Sequence, residues 1–142
     1  MTAKEYLNRY RLLSMNIDTK LDELSQLRAK ATRVSPTAMF DKNGDISDRV
    51  GRTAAKIVDL ESKIGEEVSE LSALRAEITA TIDKIEKPNL RTLLKMRYIN
   101  GWKWEKVALQ MNYSFANVTQ YLHPQALRAV DKIIAGKNCE TL

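Results

Sequence analysis

The feature that most constrains this chain is an apolar stripe that runs from Val50 to Ile85 without a proline. Its members are Val50, Ala54, Ile57, Leu60, Ile64, Val68, Leu71, Leu74, Ile78, Ile82 and Ile85. Ten intervals cover 35 residues, a mean of 3.5, which is the coiled-coil period rather than the 3.6 of a straight helix. The stripe predicts one helix from near Ser47 to Glu86, about 60 Å long at 1.5 Å per residue. Gly65 weakens it by roughly 1 kcal/mol against Ala. Pro88 ends it, because Lys87 is pushed out of the α region.

A helix of that length has to bury its stripe. Tyr10, Leu13, Ile17, Leu21, Leu24, Leu27 and Ala31 predict a first helix over Tyr6 to Ala31 with no proline or glycine inside it. As an antiparallel partner it covers about two-thirds of the longer stripe. The uncovered remainder argues for a homo-oligomer through residues 50–86, or for packing against the C-terminal unit. Between the two helices, Ser35-Pro36 and Asn43-Gly44 mark a loop over 33–47.

The second constraint lies between Arg97 and Leu127. Leu90, Leu93, Leu94, Arg97 and Tyr98 give a leading helix that ends at Asn100-Gly101. Trp104, Val107, Ala108 and Met111 then form the stripe of a short amphipathic helix. Asn112 tolerates the left-handed backbone of a tight turn, and Ser114 stands where an N-cap is wanted. Phe115, Val118 and Leu122 restart an inward stripe, which Ala126, Leu127, Val130 and Ile133 continue. Two short helices joined by a turn of about three residues place the second in a DNA major groove, although a plain helical corner has the same spacing. Pro124 predicts a kink or break near Tyr121 to His123.

The expected fold is thus all-α: a long antiparallel helical hairpin, residues 1–87, serving as a coiled-coil arm, and then a helix-turn-helix unit at 88–135. Residues 136–142 are expected to fray.

Charge separates these parts. Residues 1–87 carry 15 basic and 15 acidic side chains, while residues 88–142 carry 8 and 3, so the whole net charge of +5 lies after Lys87. A solvated basic face would show the same excess, but its coincidence with the motif points to a phosphate-facing surface. Lys95, Arg97, Lys103, Lys106 and Arg128 are the candidates for phosphate, which demands only charge. With Val118 and Leu122 inward, Ala116, Asn117, Thr119, Gln120 and Tyr121 are left nearer the surface, with Ser114 at the helix start. Asn and Gln pair bidentately with adenine, and Ala or Thr methyls touch thymine methyls, so the set suits an A·T-rich site. Solvent-facing polar residues would look the same. Trp102 and Trp104 suit wedges between helices better than base-stacking rings.

Other chemistries find little support. A single histidine, His123, makes no metal cluster and reads as a packing or capping residue beside Pro124. The carboxylates lie along helix faces, and no glycine loop cradles phosphate, so no enzyme, cofactor or metal is expected. Asp41-Lys42-Asn43-Gly44-Asp45 resembles half of a calcium loop, but Ile46 replaces its glycine and Arg52 its bidentate glutamate. The lone cysteine, Cys139, excludes an internal disulfide and fits a reducing cytoplasm. No apolar run approaches the length of a membrane helix, and Met1-Thr2-Ala3-Lys4-Glu5 is no signal peptide.

Several of these residues also carry a resemblance. Leu93-Leu94-Lys95-Met96-Arg97-Tyr98-Ile99-Asn100-Gly101-Trp102, Trp104-Glu105-Lys106-Val107-Ala108, Met111-Asn112-Tyr113-Ser114, Leu122-His123 and Ala126-Leu127 resemble the fourth region of bacterial sigma factors. Small phage proteins of Gram-positive hosts have borrowed that region. Met1 to Leu7, Asp48-Arg49-Val50-Gly51 and Ala55-Lys56-Ile57-Val58-Asp59-Leu60 match the N-terminal half of the same phage proteins. The resemblance covers nearly all of the chain except the loop, and that phage family is similar to the ArpU- and RinA-type regulators that switch on late or packaging genes. It implies a cytoplasmic regulator in a bacterial host that binds double-stranded DNA sequence-specifically, and contact with host RNA polymerase as a further partner. Two departures stand out. Between Ser114 and His123 this chain is one residue longer than the pattern, and Phe115, Ala116, Asn117, Thr119 and Gln120 stand where relatives usually place Arg or Lys. A small-terminase-like packaging subunit also joins a DNA-binding module to a coiled coil, and an adaptor that has lost DNA binding would keep the same fold.

Overall fold

Local chemistry sets the helix boundaries. The structure, a computed structural model, describes residues 1–32 and 45–140, and for 45–48 and 137–140 the backbone alone. Helix α1 spans Ala3–Thr32. It opens with a reciprocal capping box: the Glu5 N–H donates to Thr2 Oγ1 at 3.2 Å, and the Thr2 N–H donates to Glu5 Oε2 at 3.1 Å. Helix α2 spans Asp45–Asp83. Two of its last carbonyls are met by the backbone, that of Thr81 by the Lys84 N–H at 3.2 Å and that of Ile82 by the Ile85 N–H at 3.0 Å, and the Arg91 guanidinium donates to the carbonyls of Ile85 and Glu86 just beyond the helix end. Lys87 is extended, and Pro88 opens the next helix, as a proline in the first turn does.

Helix α3 runs over Pro88–Leu94 and continues through a π turn at Lys95–Ile99, ending where Gly101 takes a φ of 72°. Helix α4 is Trp104–Met111, closed by Asn112 in the left-handed region at φ 59°, ψ 36°. Helix α5 is continuous through Phe115–Asn117, a π turn at Val118–Leu122, and His123–Glu140. Every regular element among the described residues is helical, and none of these helices is long and apolar enough to cross a membrane.

Of the kink or break expected near Pro124, the break does not occur, and helix α5 runs through the proline. One turn earlier the ladder switches to a five-residue step, with the His123 N–H bonded to the Val118 carbonyl. A π turn leaves one carbonyl without a ladder partner, and proline lacks one donor, so the two defects meet in one place. The buried stripe explains the turn as well. Val118, Leu122, Ala126 and Val130 are all buried at intervals of four. Three such steps would drift by about 120° around a regular helix, and one added residue restores about 100° of that. Helical backbone also persists to Glu140, beyond the fraying expected from 136.

The chain divides into two compact units. The first holds residues 1–12 and 71–142, and five helical segments contribute to its core. Leu7, Ile78, Ile82, Leu93, Leu94, Val107, Val118 and Val130 are fully buried there, each worth about 1.5–3 kcal/mol in transfer free energy. Two polar links tie distant parts of this unit together: the Tyr6 hydroxyl meets the buried Thr81 hydroxyl at 3.0 Å, and the Ala3 N–H donates to Asp131 Oδ1 at 2.8 Å.

The second unit, residues 13–70, is sparser. Ile17, Leu24, Leu60 and Ile64 form its buried stripe, none of them below 5% exposure. Lys20 pairs with Glu67, and Arg28 with Glu61 at 2.7 Å, so numbers rise along one helix as they fall along the other. Met15, Leu21, Val50, Val58 and Val68 stay exposed. Of the stripe predicted for α2, the N-terminal end at Val50 and Ala54 and the middle at Val68 are therefore uncovered. The calcium-loop-like residues Asp41 to Gly44 and the side chain of Cys139 lie outside the described residues.

Candidate nucleic-acid interface

The segment from α3 to α5 is held by aromatic rings with cations laid over them. The Tyr98 hydroxyl lies 2.7 Å from His123 Nε2, and their rings stack at 5.9 Å. Trp104 packs against the same imidazole, tilted by 58° with ring centroids 4.4 Å apart. Over Trp104 sits the Arg97 guanidinium, 4.7 Å from the ring centroid, and its Nη1 also donates to the Trp102 carbonyl at 3.0 Å. Lys106 lies 4.0 Å above the ring of Trp102. Cations over indole faces are attracted by the ring quadrupole.

Burial sets the protonation of this cluster. It raises the Tyr98 phenol and so keeps it protonated. His123 is pushed down from its ordinary 6.5 to about 4, first by burial and then by the positive charges of Lys4 and Arg97. A neutral imidazole therefore meets a protonated phenol, which needs no counter-charge.

The turn between α4 and α5 follows from three residues. Asn112 in the left-handed region lets the Tyr113 N–H reach back to the Ala108 carbonyl at 3.1 Å. Ser114 is extended, and its Oγ accepts from the Asn117 N–H at 3.1 Å, the N-cap that its position predicts. Val118 and Leu122 then face inward.

The candidate residues sort into two groups. Lys103, Lys106, Arg128, Ser114, Ala116, Gln120 and Tyr121 are exposed. Lys95, Arg97, Asn117 and Thr119 are half-buried. Lys95 pairs with Asp83 at 2.6 Å, and Arg97 is engaged as a brace between Trp102 and Trp104. The Thr119 hydroxyl donates to the Phe115 carbonyl at 2.9 Å. Phe115 was expected to face inward and is instead half exposed, because the cap at Ser114 starts the helix with its first residue outside the packed face. Leu109, 75% exposed, and Tyr113 add apolar surface that periodicity did not flag. Leu109 lies in α4 off the stripe of Trp104, Val107, Ala108 and Met111, and Tyr113 lies in the turn after Asn112. His123 also has a larger part than sequence suggested, since it is the ring that Tyr98 and Trp104 both pack against.

Residues 35–131 match the model of a family described as a protein of unknown function (DUF1492), and the chain belongs to that family. No curated protein and no solved structure matches it.

Proposed function

We propose that this family member is a sequence-specific DNA-binding regulator of phage or prophage transcription. In this reading α4 and α5 act as a helix-turn-helix with α5 in the major groove. Residues 1–87 form a helical hairpin arm that self-associates, and host RNA polymerase is a further partner. The observation that carries the reading is the α4–α5 junction. A left-handed Asn112 and a capping Ser114 join the short helix α4 to α5, whose first turns present Ala116, Gln120 and Tyr121 outward. The +5 excess after Lys87 supports it, with Lys103, Lys106 and Arg128 as the phosphate-facing cations. Lys95 and Arg97 enter as braces, since each is half-buried and held by a partner, whereas Lys106 stays exposed beside the Trp102 ring.

The test is selection of bound duplexes from a random pool by the full chain, followed by titration at several salt concentrations. Enrichment of one sequence is expected, with affinity falling as salt rises at a log–log slope near 0.9 per phosphate contacted. Lys103→Ala or Arg128→Ala should weaken every duplex alike and lower that slope by about one. No enrichment and no salt-dependent binding would overturn the reading. For the arm, Val58→Asp and Val68→Asp alter exposed positions and should dissociate an assembly without unfolding the chain. Sedimentation as a monomer by the unaltered protein at tens of micromolar would refute self-association.

A further inference from the structure

From Val107 to Leu127 the chain has no Asp, Glu, Lys or Arg in 21 consecutive residues. The exposed surface of the first turns of α5 consists of Phe115, Ala116, Gln120 and Tyr121, with Phe115 at 50% and Tyr121 at 62% exposure. Two neighbouring hydroxyls each make a local bond: Ser114 Oγ accepts from the Asn117 N–H, and the Thr119 hydroxyl donates to the Phe115 carbonyl. Beyond the Ser114 cap, this surface is mostly apolar, with the Gln120 amide and the Tyr121 hydroxyl as its exposed polar groups.

In a major groove, guanine is read mainly by Arg or Lys, and this surface has neither. An apolar side chain has one specific partner there, the C5-methyl of thymine, and a glutamine amide pairs bidentately with adenine. Cations bracket the surface in sequence, at Lys103 and Lys106 before it and Arg128 after it, and they supply attraction to phosphate without entering the reading face. We propose that α5 recognises its site through thymine methyl groups, with Phe115 and Ala116 as the methyl-contacting residues and Gln120 pairing the adjacent adenine. This proposal rests on the DNA-binding reading of α4 and α5 and names the chemistry that reading would use.

The experiment compares two duplexes of the selected sequence, one natural and one with every thymine replaced by uracil. Charge and base pairing are unchanged, and only the methyl groups are lost. Binding by the full chain is expected to weaken about fourfold for each contacted methyl, the value of one buried methylene-sized group. In Phe115→Ala the preference for thymine over uracil should shrink, while the salt slope stays as it was. Circular dichroism should report an unchanged fold, because the side chain is half exposed. Lys103→Ala should weaken both duplexes equally. Equal affinity of the unaltered chain for the two duplexes would overturn methyl recognition and leave DNA binding standing. So would a Phe115→Ala variant that loses affinity for both duplexes alike. If neither duplex binds, both readings fall, and the exposed Leu109, Tyr113 and Phe115 would point to a protein partner instead.

Discussion

The unit around Tyr98 and His123 and the unit of residues 13–70 are written in the same amphipathic code, yet they are built to different densities. In the first, five helical segments share one core and several side chains are wholly inaccessible. In the second, two helices meet along one stripe, their buried residues keep 5–9% exposure, and side-chain ion pairs flank it. A lone helix pair covers one face of each member and leaves the flanks open. Periodicity therefore says which residues turn inward, whereas the number of neighbouring segments decides how completely they are enclosed.

The comparison can be broken most sharply by truncation. Leu93→Ala in the dense unit should cost about 2–5 kcal/mol by urea denaturation, and Leu60→Ala should fall at or below the low end of that range. Equal costs would mean that the two cores are packed alike.

The dense unit should also respond to acid. His123 is held near 4 when folded and returns to 6.5 when unfolded, so the unfolded chain binds the proton more readily between those values. Its contribution to stability is whole above about 6.5, is lost as pH falls towards about 4, and does not change further below that. As the only histidine, it gives one imidazole signal by nuclear magnetic resonance. A titration midpoint above 6 would contradict the enclosure described for it.

Smaller effects sharpen the contrast. Ser114→Ala removes the cap of α5 and should cost about 1 kcal/mol in thermal or urea unfolding. In the sparse unit the expected sign reverses. A Cβ at Gly65 would meet nothing within 4 Å, so Gly65→Ala should stabilise α2 by up to about 1 kcal/mol. The smallest change is expected for Arg28→Ala, since its pair with Glu61 is exposed and such pairs contribute about 0.2–1 kcal/mol at most.

Much of the backbone was legible in the sequence because short-range chemistry determined it. Pro88, Gly101, Asn112 and Ser114 each impose a local conformation, and each boundary falls where that conformation demands. The π turn before Pro124 was not legible as such. The signals were present, in a proline and a stripe stepping by four, but periodicity alone cannot choose between a kink, a break and an added residue. The candidate interface was legible in its inward residues, Val118 and Leu122, and less so at Phe115, whose exposure depends on where the cap begins the helix. The engagement of Arg97 between two tryptophans needs three-dimensional neighbours, which charge counting does not supply.

The bond from Ala3 to Asp131 spans 128 residues of chain. A ribosome adds about 5–20 residues per second, so the first helix emerges many seconds before the carboxylate it will join. Until then the first helix lacks one of the two polar links that tie it into this unit, although Thr81, the partner of Tyr6, has already been made. Completion of the dense unit is therefore a late event in synthesis. Closing so long a loop also carries an entropic cost that grows with the logarithm of its length. Nascent chains stalled before residue 131 should leave the N-terminal segment open to protease, and chains stalled well after it should protect that segment.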